Sequence, residues 1–425
     1  MGSSTRSGRR RAAVVIVLLA VGTAALGAGR GAAPASASAG RPVVISCADD
    51  GGRAYISYDA GGAPLMNRCP HSVLFGVTVA PPSTSMLDQV AGELGSATAP
   101  AALNTASTYV PWGSCAAAST QCALNLFSPG TAYNMAQIAA AGATPVLSWE
   151  PWNSQCQTAA CEAWYSDAAI AAGHFDGSDD PNNLSGIKGF AFQVAQWHQP
   201  VFIRLADEMN GYWAPWGTQG TAACDFEQGR CPNEFGITNQ PSSFVAMWDH
   251  VRSIFAAEGA TNVTWIWNPN VGASDGITAD YPGNAEVDVV GLDGYNYAAR
   301  EGVPWRSAAS VLQPSLDVLR DLAPTKPEWI GETATSEPAP VETAAGEGKA
   351  GWITHLGTDL LNGSWSHVVG FSYYDIAGND FMPFDCGTNG TVGGVDYRCD
   401  GSPGRAPPDP GALASMRSLV ATLQQ

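Results

Sequence analysis

From Ser72 onward the chain alternates short apolar runs with stretches whose apolar residues recur at helical spacing. The runs are Val73–Val79, Leu103–Val110, Thr144–Trp149, Val201–Leu205, Val263–Trp267, Val287–Leu292, Glu328–Ile330 and Val368–Ser372. Short, nearly continuous apolar sequence of this kind reads as strands covered on both faces. Between them the spacing predicts helices over Ser85–Leu94, Tyr133–Ala141, Leu184–Val194, Ser242–Gly259, Ala308–Leu322, Lys349–Leu361 and Gly411–Leu423. Ser242–Gly259 is the clearest, with Phe244, Trp248, Val251 and Phe255 on one stripe. Eight strands alternating with helices are the mark of an α/β fold closed as a (β/α)8 TIM barrel. A doubly wound open sheet would want a Gly-rich phosphate loop after an early strand, and the chain has none. Self-similarity at a period of roughly 20–50 residues, the sign of a solenoid, is absent too.

The residues before Ser72 read differently. Arg9, Arg10 and Arg11 precede an apolar run from Ala12 to Leu26 and a small-residue stretch, Ala33–Ala39. That is the layout of a signal peptide, residues 1–39, with Ala37-Ser38-Ala39 the favoured cleavage site. The run is short and alanine-rich for a membrane span, and a retained anchor is the weaker reading. Residues 40–71 hold two short apolar stretches, Val43–Ser46 and Ala54–Tyr58, bracketed by Cys47 and Cys69, and predict a small N-terminal β extension. Residues 72–425 then form one barrel domain with long loops, since no Pro/Thr/Ser-rich linker divides them.

Charge and cysteine content narrow the setting. The formal net charge is −18, and all five cations of residues 1–39 would leave with the peptide while no acid does. Such a surface repels nucleic acid and anionic membranes and suits a neutral polymer. Ten cysteines, an even number, fit disulfides in an oxidising, extracellular compartment. Spacing favours Cys115–Cys122, Cys156–Cys161, Cys224–Cys231, Cys386–Cys399 and Cys47–Cys69 as staples of the loops. Without a C-x-x-C and with scattered histidines, zinc is the poorer reading. The expectation is a monomer without metal or cofactor.

In such barrels chemistry sits at the carboxyl ends of the strands. There the chain places Glu150 and Trp152, Asp207 and Glu208, Trp267, Asn268 and Asn270, then Asp293, Tyr295 and Asn296, Glu332, and Tyr374 with Asp375. Carboxylates and amides bind hydroxyls in the plane of a sugar ring, and indoles stack on its apolar face. Trp213 and Trp216 follow a strand end among Gly, Ala and Pro, which suits a cleft better than a core. Glycoside cleavage needs two carboxyls flanking one bond. Glu208 and Glu332 close the fourth and seventh strands, a placement that suits the separation of about 5–5.5 Å of a retaining mechanism. Two-residue alternation puts Phe202, Arg204, Ala206 and Glu208 on one face. If that face is the barrel interior, Arg204 lies beneath the carboxylates and keeps one ionised, or else it pairs with another core acid.

The run Arg204…Glu208-Met209-Asn210-Gly211…Trp213…Trp216-Gly217 resembles the acid/base motif of glycoside hydrolase family 26. Pro145–Trp152, Asn262–Asn270, Val287–Asn296, Lys326–Thr333 and Lys349–Ile353 follow in that family's order, over roughly Ser72 to Asp375. The resemblance implies a secreted enzyme that hydrolyses β-mannan, with mixed-linkage glucan or xylan as alternatives. It implies Glu208 as general acid/base, Glu332 as nucleophile, Tyr295 as the nucleophile's hydrogen-bond donor and Trp213 as a wall of the sugar site. Glu150 and Trp152 fall where the family lines its glycone subsites. Asp207 departs from the histidine usual before the acid/base, and Tyr373 and Tyr374 stand where a tryptophan platform is expected. Both departures leave the choice of sugar open.

Overall fold

Alternating strands and helices do close on themselves. A computed structural model describes residues 54–69, 72–79, 82–96, 99–113, 129–155, 162–178, 184–220, 232–272, 274–297, 304–335, 348–362, 364–375, 391–392, 395–396 and 410–424. Eight parallel strands form a closed barrel: β3 (Leu74–Thr78), β4 (Thr105–Gly113), β5 (Thr144–Asn153), β6 (Val201–Leu205), β7 (Val263–Trp267), β8 (Val289–Asn296), β9 (Glu328–Thr335) and β10 (Val368–Tyr374). Consecutive strands are neighbours, and β10 pairs with β3 to complete the ring.

Alternation along the strands builds two cores. Leu74, Val146, Phe202, Ile266, Val289, Trp329 and Val369 fill the inside of the barrel. Their sequence neighbours Phe75, Leu147, Ile203, Trp267, Val290, Ile330 and Val368 join the larger core between strands and helices. The helix Pro241–Ala257 shows how the outer layer is specified. Pro241 opens it, Gln240 and Ser243 form a reciprocal capping box, and Phe244, Trp248, Val251 and Phe255 are buried as their spacing predicts. Gly259, at φ +74°, ends it in the left-handed region that glycine adopts without strain.

The N-terminal extension is a hairpin, β1 (Tyr55–Tyr58) paired antiparallel with β2 (Pro64–Asn67). Its second strand is not the Val43–Ser46 stretch, which lies outside the described residues, as do residues 1–39, where the sequence predicts a signal peptide. The hairpin closes the amino-terminal end of the barrel. Met66 enters the inner core, and Arg68, buried, donates to the carbonyls of Leu360, Val368 and Trp365. Cys69 is disulfide-bonded. The other nine cysteines lie outside the described residues. Among the described residues no helix is long and apolar enough to cross a membrane.

At the other end the strands run further than their apolar sequence. β5, β8, β9 and β10 continue through Asn153, Asn296, Thr335 and Tyr374. The ladder persists there, with Asp293, Gly294, Tyr295 and Asn296 paired to Glu332, Thr333, Ala334 and Thr335. Glu150, Asp293, Tyr295, Glu332 and Tyr374 are therefore strand residues, held by rigid elements rather than by loops.

Candidate active site

β6 delivers Arg204 into the barrel mouth and then breaks. Ala206 and Glu208 both take left-handed backbone, at φ 50° and φ 56°. Such a conformation costs about 1 kcal/mol or more for a residue with a Cβ. Neighbouring strands impose it: Ala206 N–H donates to Trp149 O at 3.1 Å and Glu208 N–H to Asn268 O at 2.8 Å. The turn ends the two-residue alternation, so Asp207 as well as Glu208 faces the mouth.

Arg204 is fully buried and bonds three acids: Asp207 Oδ2 at 2.8 Å, Asp293 Oδ2 at 2.6 Å and Glu332 Oε1 at 3.0 Å. Both expected roles of Arg204 are thus combined, since it holds the candidate nucleophile and other core acids. Carboxylate oxygens of Asp207, Asp293 and Glu332 lie within 4.8 Å of one another, and the guanidinium is the cation they surround.

A bulge aims Glu332. In strict alternation Trp329, Gly331 and Thr333 would face inward and Glu332 outward. The register shifts instead: Leu292 pairs with Ile330, but Asp293 pairs with Glu332, leaving Gly331 unopposed. Bulges of this kind re-aim side chains beside active sites. Glu332 then receives Tyr109 Oη at 2.7 Å on Oε1 and the hydroxyl of Tyr295 on Oε2. Burial first, and the charge of Glu332 next, push both phenols well above their ordinary range, so each stays a donor.

Glu208 sits in a different setting. Asn270 donates to its Oε1 and Trp213 Nε1 to its Oε2, the latter at 2.6 Å. Burial, then the charges of Glu332 and Asp207, raise its carboxyl to about 7. Burial likewise lifts Asp207 to about 6 against the pull of Arg204. Half-buried Glu150 is also pushed well above the usual carboxylate range, by desolvation and then by the charge of Asp207, and its Oε2 accepts Trp152 Nε1 at 3.0 Å.

The remaining expected residues divide. Trp213 is 40% exposed, an open indole beside Glu208, and the half-buried Tyr374 meets Tyr295 edge-on at 5.7 Å. Trp216 is buried, its Nε1 donating to Asp207 O at 2.6 Å, so it fixes the turn and offers no face to a cleft. Trp267 is fully buried on the helix side of β7 against Tyr281. Asn268 is fully buried inside the barrel beneath the acids. Each was placed by its position at a strand end, which does not say which way a side chain turns. Tyr109 was missed. Its signal was the polar alternation Ser107, Tyr109 within a strand that otherwise read as covered on both faces.

Residues 181–315 match the family model described as Glycosyl hydrolase family 26. Endoglucanase H of Acetivibrio thermocellus is 28% identical over 233 residues, 54% of this chain and 21% of that protein. Mannan endo-1,4-beta-mannosidase A and B of Caldalkalibacillus mannanilyticus is 32% identical over 97 residues, 23% of this chain and 16% of that protein. The chain thus spans about a fifth or less of the curated relatives it matches. The solved GH26C structure from a Muricauda species shares the fold, with TM-score 0.51 at 14% identity, covering 83% of this chain and 86% of that one. The family-matched segment carries Arg204, Glu208, Asp293 and Tyr295 on β6 to β8, and it is over this segment that the chain is similar to glycoside hydrolase family 26.

Proposed function

We propose that the chain is a secreted, retaining endo-β-glycanase that cleaves β-1,4-mannan-type polysaccharide and works as a monomer. One contrast carries the reading: Glu208 is half-buried and raised to about 7, while Glu332 is gripped by a cation and two phenols. Two carboxyls in opposed environments are the arrangement an acid and a nucleophile need. Glu208 gives its proton to the leaving oxygen as Glu332 attacks the anomeric carbon. The C–O bond to the leaving sugar breaks and a glycosyl-ester forms on Glu332. Water, deprotonated by Glu208, then attacks that ester and releases the sugar with its original anomeric configuration. Arg204, Tyr109 and Tyr295 hold Glu332 in line, and Trp213 stacks on the sugar beside the scissile bond.

Glu332→Ala should abolish reducing-end release from galactomannan while oligosaccharide binding by calorimetry persists. Near-normal turnover in that variant would overturn the assignment, and binding without any turnover in the unaltered enzyme would make the barrel a glycan-binding one. Proton NMR of the first product distinguishes retention from inversion.

A mixed-linkage β-glucan is the second reading. It is favoured because the curated relative matched over the greater length is named an endoglucanase, and because Asp207 replaces the usual histidine. Rates on galactomannan, lichenan and β-1,3-xylan separate these substrates. Export rests on residues 1–39, and N-terminal sequencing of protein from the culture medium should read Gly40 first.

A further inference from the structure

We propose that Asp293 is held as the neutral acid, its Oδ1 carrying a proton donated to Asn268 Oδ1, so that Arg204 serves the other two carboxylates alone. Three acids on one fully buried guanidinium leave an excess of negative charge that a low-dielectric interior does not tolerate. One carboxyl must be neutral, and the partners say which.

Glu332 accepts from Arg204, Tyr109 and Tyr295, so both of its oxygens already meet donors. Asp207 Oδ1 also lacks a partner, but Asp207 keeps slight contact with the mouth at 6% exposed, where Asp293 has none. Asp293 is fully buried, and its Oδ1 has no partner among the described residues. Asn268 Oδ1 is likewise buried without a donor. Both oxygens flank the empty side of the bulge residue: a Cβ on Gly331 would lie 2.7 Å from Asp293 Oδ1 and 2.2 Å from Asn268 Oδ1. Two bare acceptors at one vacant position repel, whereas a proton on Asp293 joins them. Burial is also the main cause pushing Asp293 well above the carboxylate range. Arg204 opposes it, and the charges of Glu332, Glu208 and Asp207 add to it.

Asp293 is then a positioning residue. It braces Arg204 through Oδ2 without drawing charge from Glu332. That consequence rests on the role proposed above for Glu332, but the proton itself does not.

A neutron structure of the full chain, which needs no substrate, should place a deuteron between Asp293 Oδ1 and Asn268. A bare carboxylate with the Asn268 amino group turned toward it would overturn the inference. Kinetics give a second arm. Asp293→Asn exchanges one neutral group for another, so the alkaline limb of kcat/KM should stay within about 0.3 pH unit of its place even if kcat drops. Were Asp293 ionised, losing its charge would ease ionisation of Glu208 and move that limb down by ~1 pH unit, a result that also sinks the idea.

Discussion

Glu208 keeps a proton near neutrality because burial and two neighbouring acids oppose its ionisation, while two hydrogen bonds favour it. A general acid works only while protonated, so kcat/KM should fall as pH rises through about 7. The indole N–H of Trp213 is one of the two groups holding the charged form. Trp213→Phe keeps a ring for the sugar and removes that donor. Its alkaline limb should therefore move up by about one pH unit, equivalent to ~1.4 kcal/mol. A limb that stays or moves down would show that Trp213 does not tune Glu208.

At the scale of elements the bulge in β9 matters most. Gly331 has room for no side chain, because a Cβ would meet Asn268 Oδ1 at 2.2 Å and Asp293 Oδ1 at 2.7 Å. Gly331→Ala should cost about 1–3 kcal/mol in chemical denaturation. Displacing Glu332 by even 1 Å should lower kcat by on the order of 100-fold. Destabilisation with unchanged kcat would mean that the bulge does not aim the carboxylate. This element also marks the limit of what the sequence discloses. Apolar runs located every barrel strand, and the family motif located Glu208 and Glu332. Strand ends did not reveal side-chain direction, which bulges and left-handed turns reset. Asp207 therefore turned to Arg204, Trp216 and Trp267 turned into the core, and Tyr109 reached Glu332 unannounced.

Across the whole molecule several acids outside the mouth are buried with little compensation. Asp280 is raised to about 7, and Glu162 and Glu328 to about 8, in each case chiefly by burial. The folded state holds these protons above the pH at which the unfolded chain, near its ordinary 3.8 to 4.5, has lost them. Stability therefore declines as pH rises from about 4 through these folded values. Calorimetry should give a lower Tm at pH ~8 than at pH ~5, and the reverse order would contradict the burial argument.

The hairpin under the barrel has a consequence in time. Arg68 is made early, but its acceptors lie 292 to 300 residues later in the chain. At about 5–20 residues per second of synthesis, the seat for Arg68 emerges about 15–60 seconds after Arg68 itself. Until β10 is made the inner core that takes Met66 lacks Val369, and the ring cannot close. The nascent chain is then open to whatever machinery binds unfolded polypeptide, and its first-made hairpin is among the last parts to be locked.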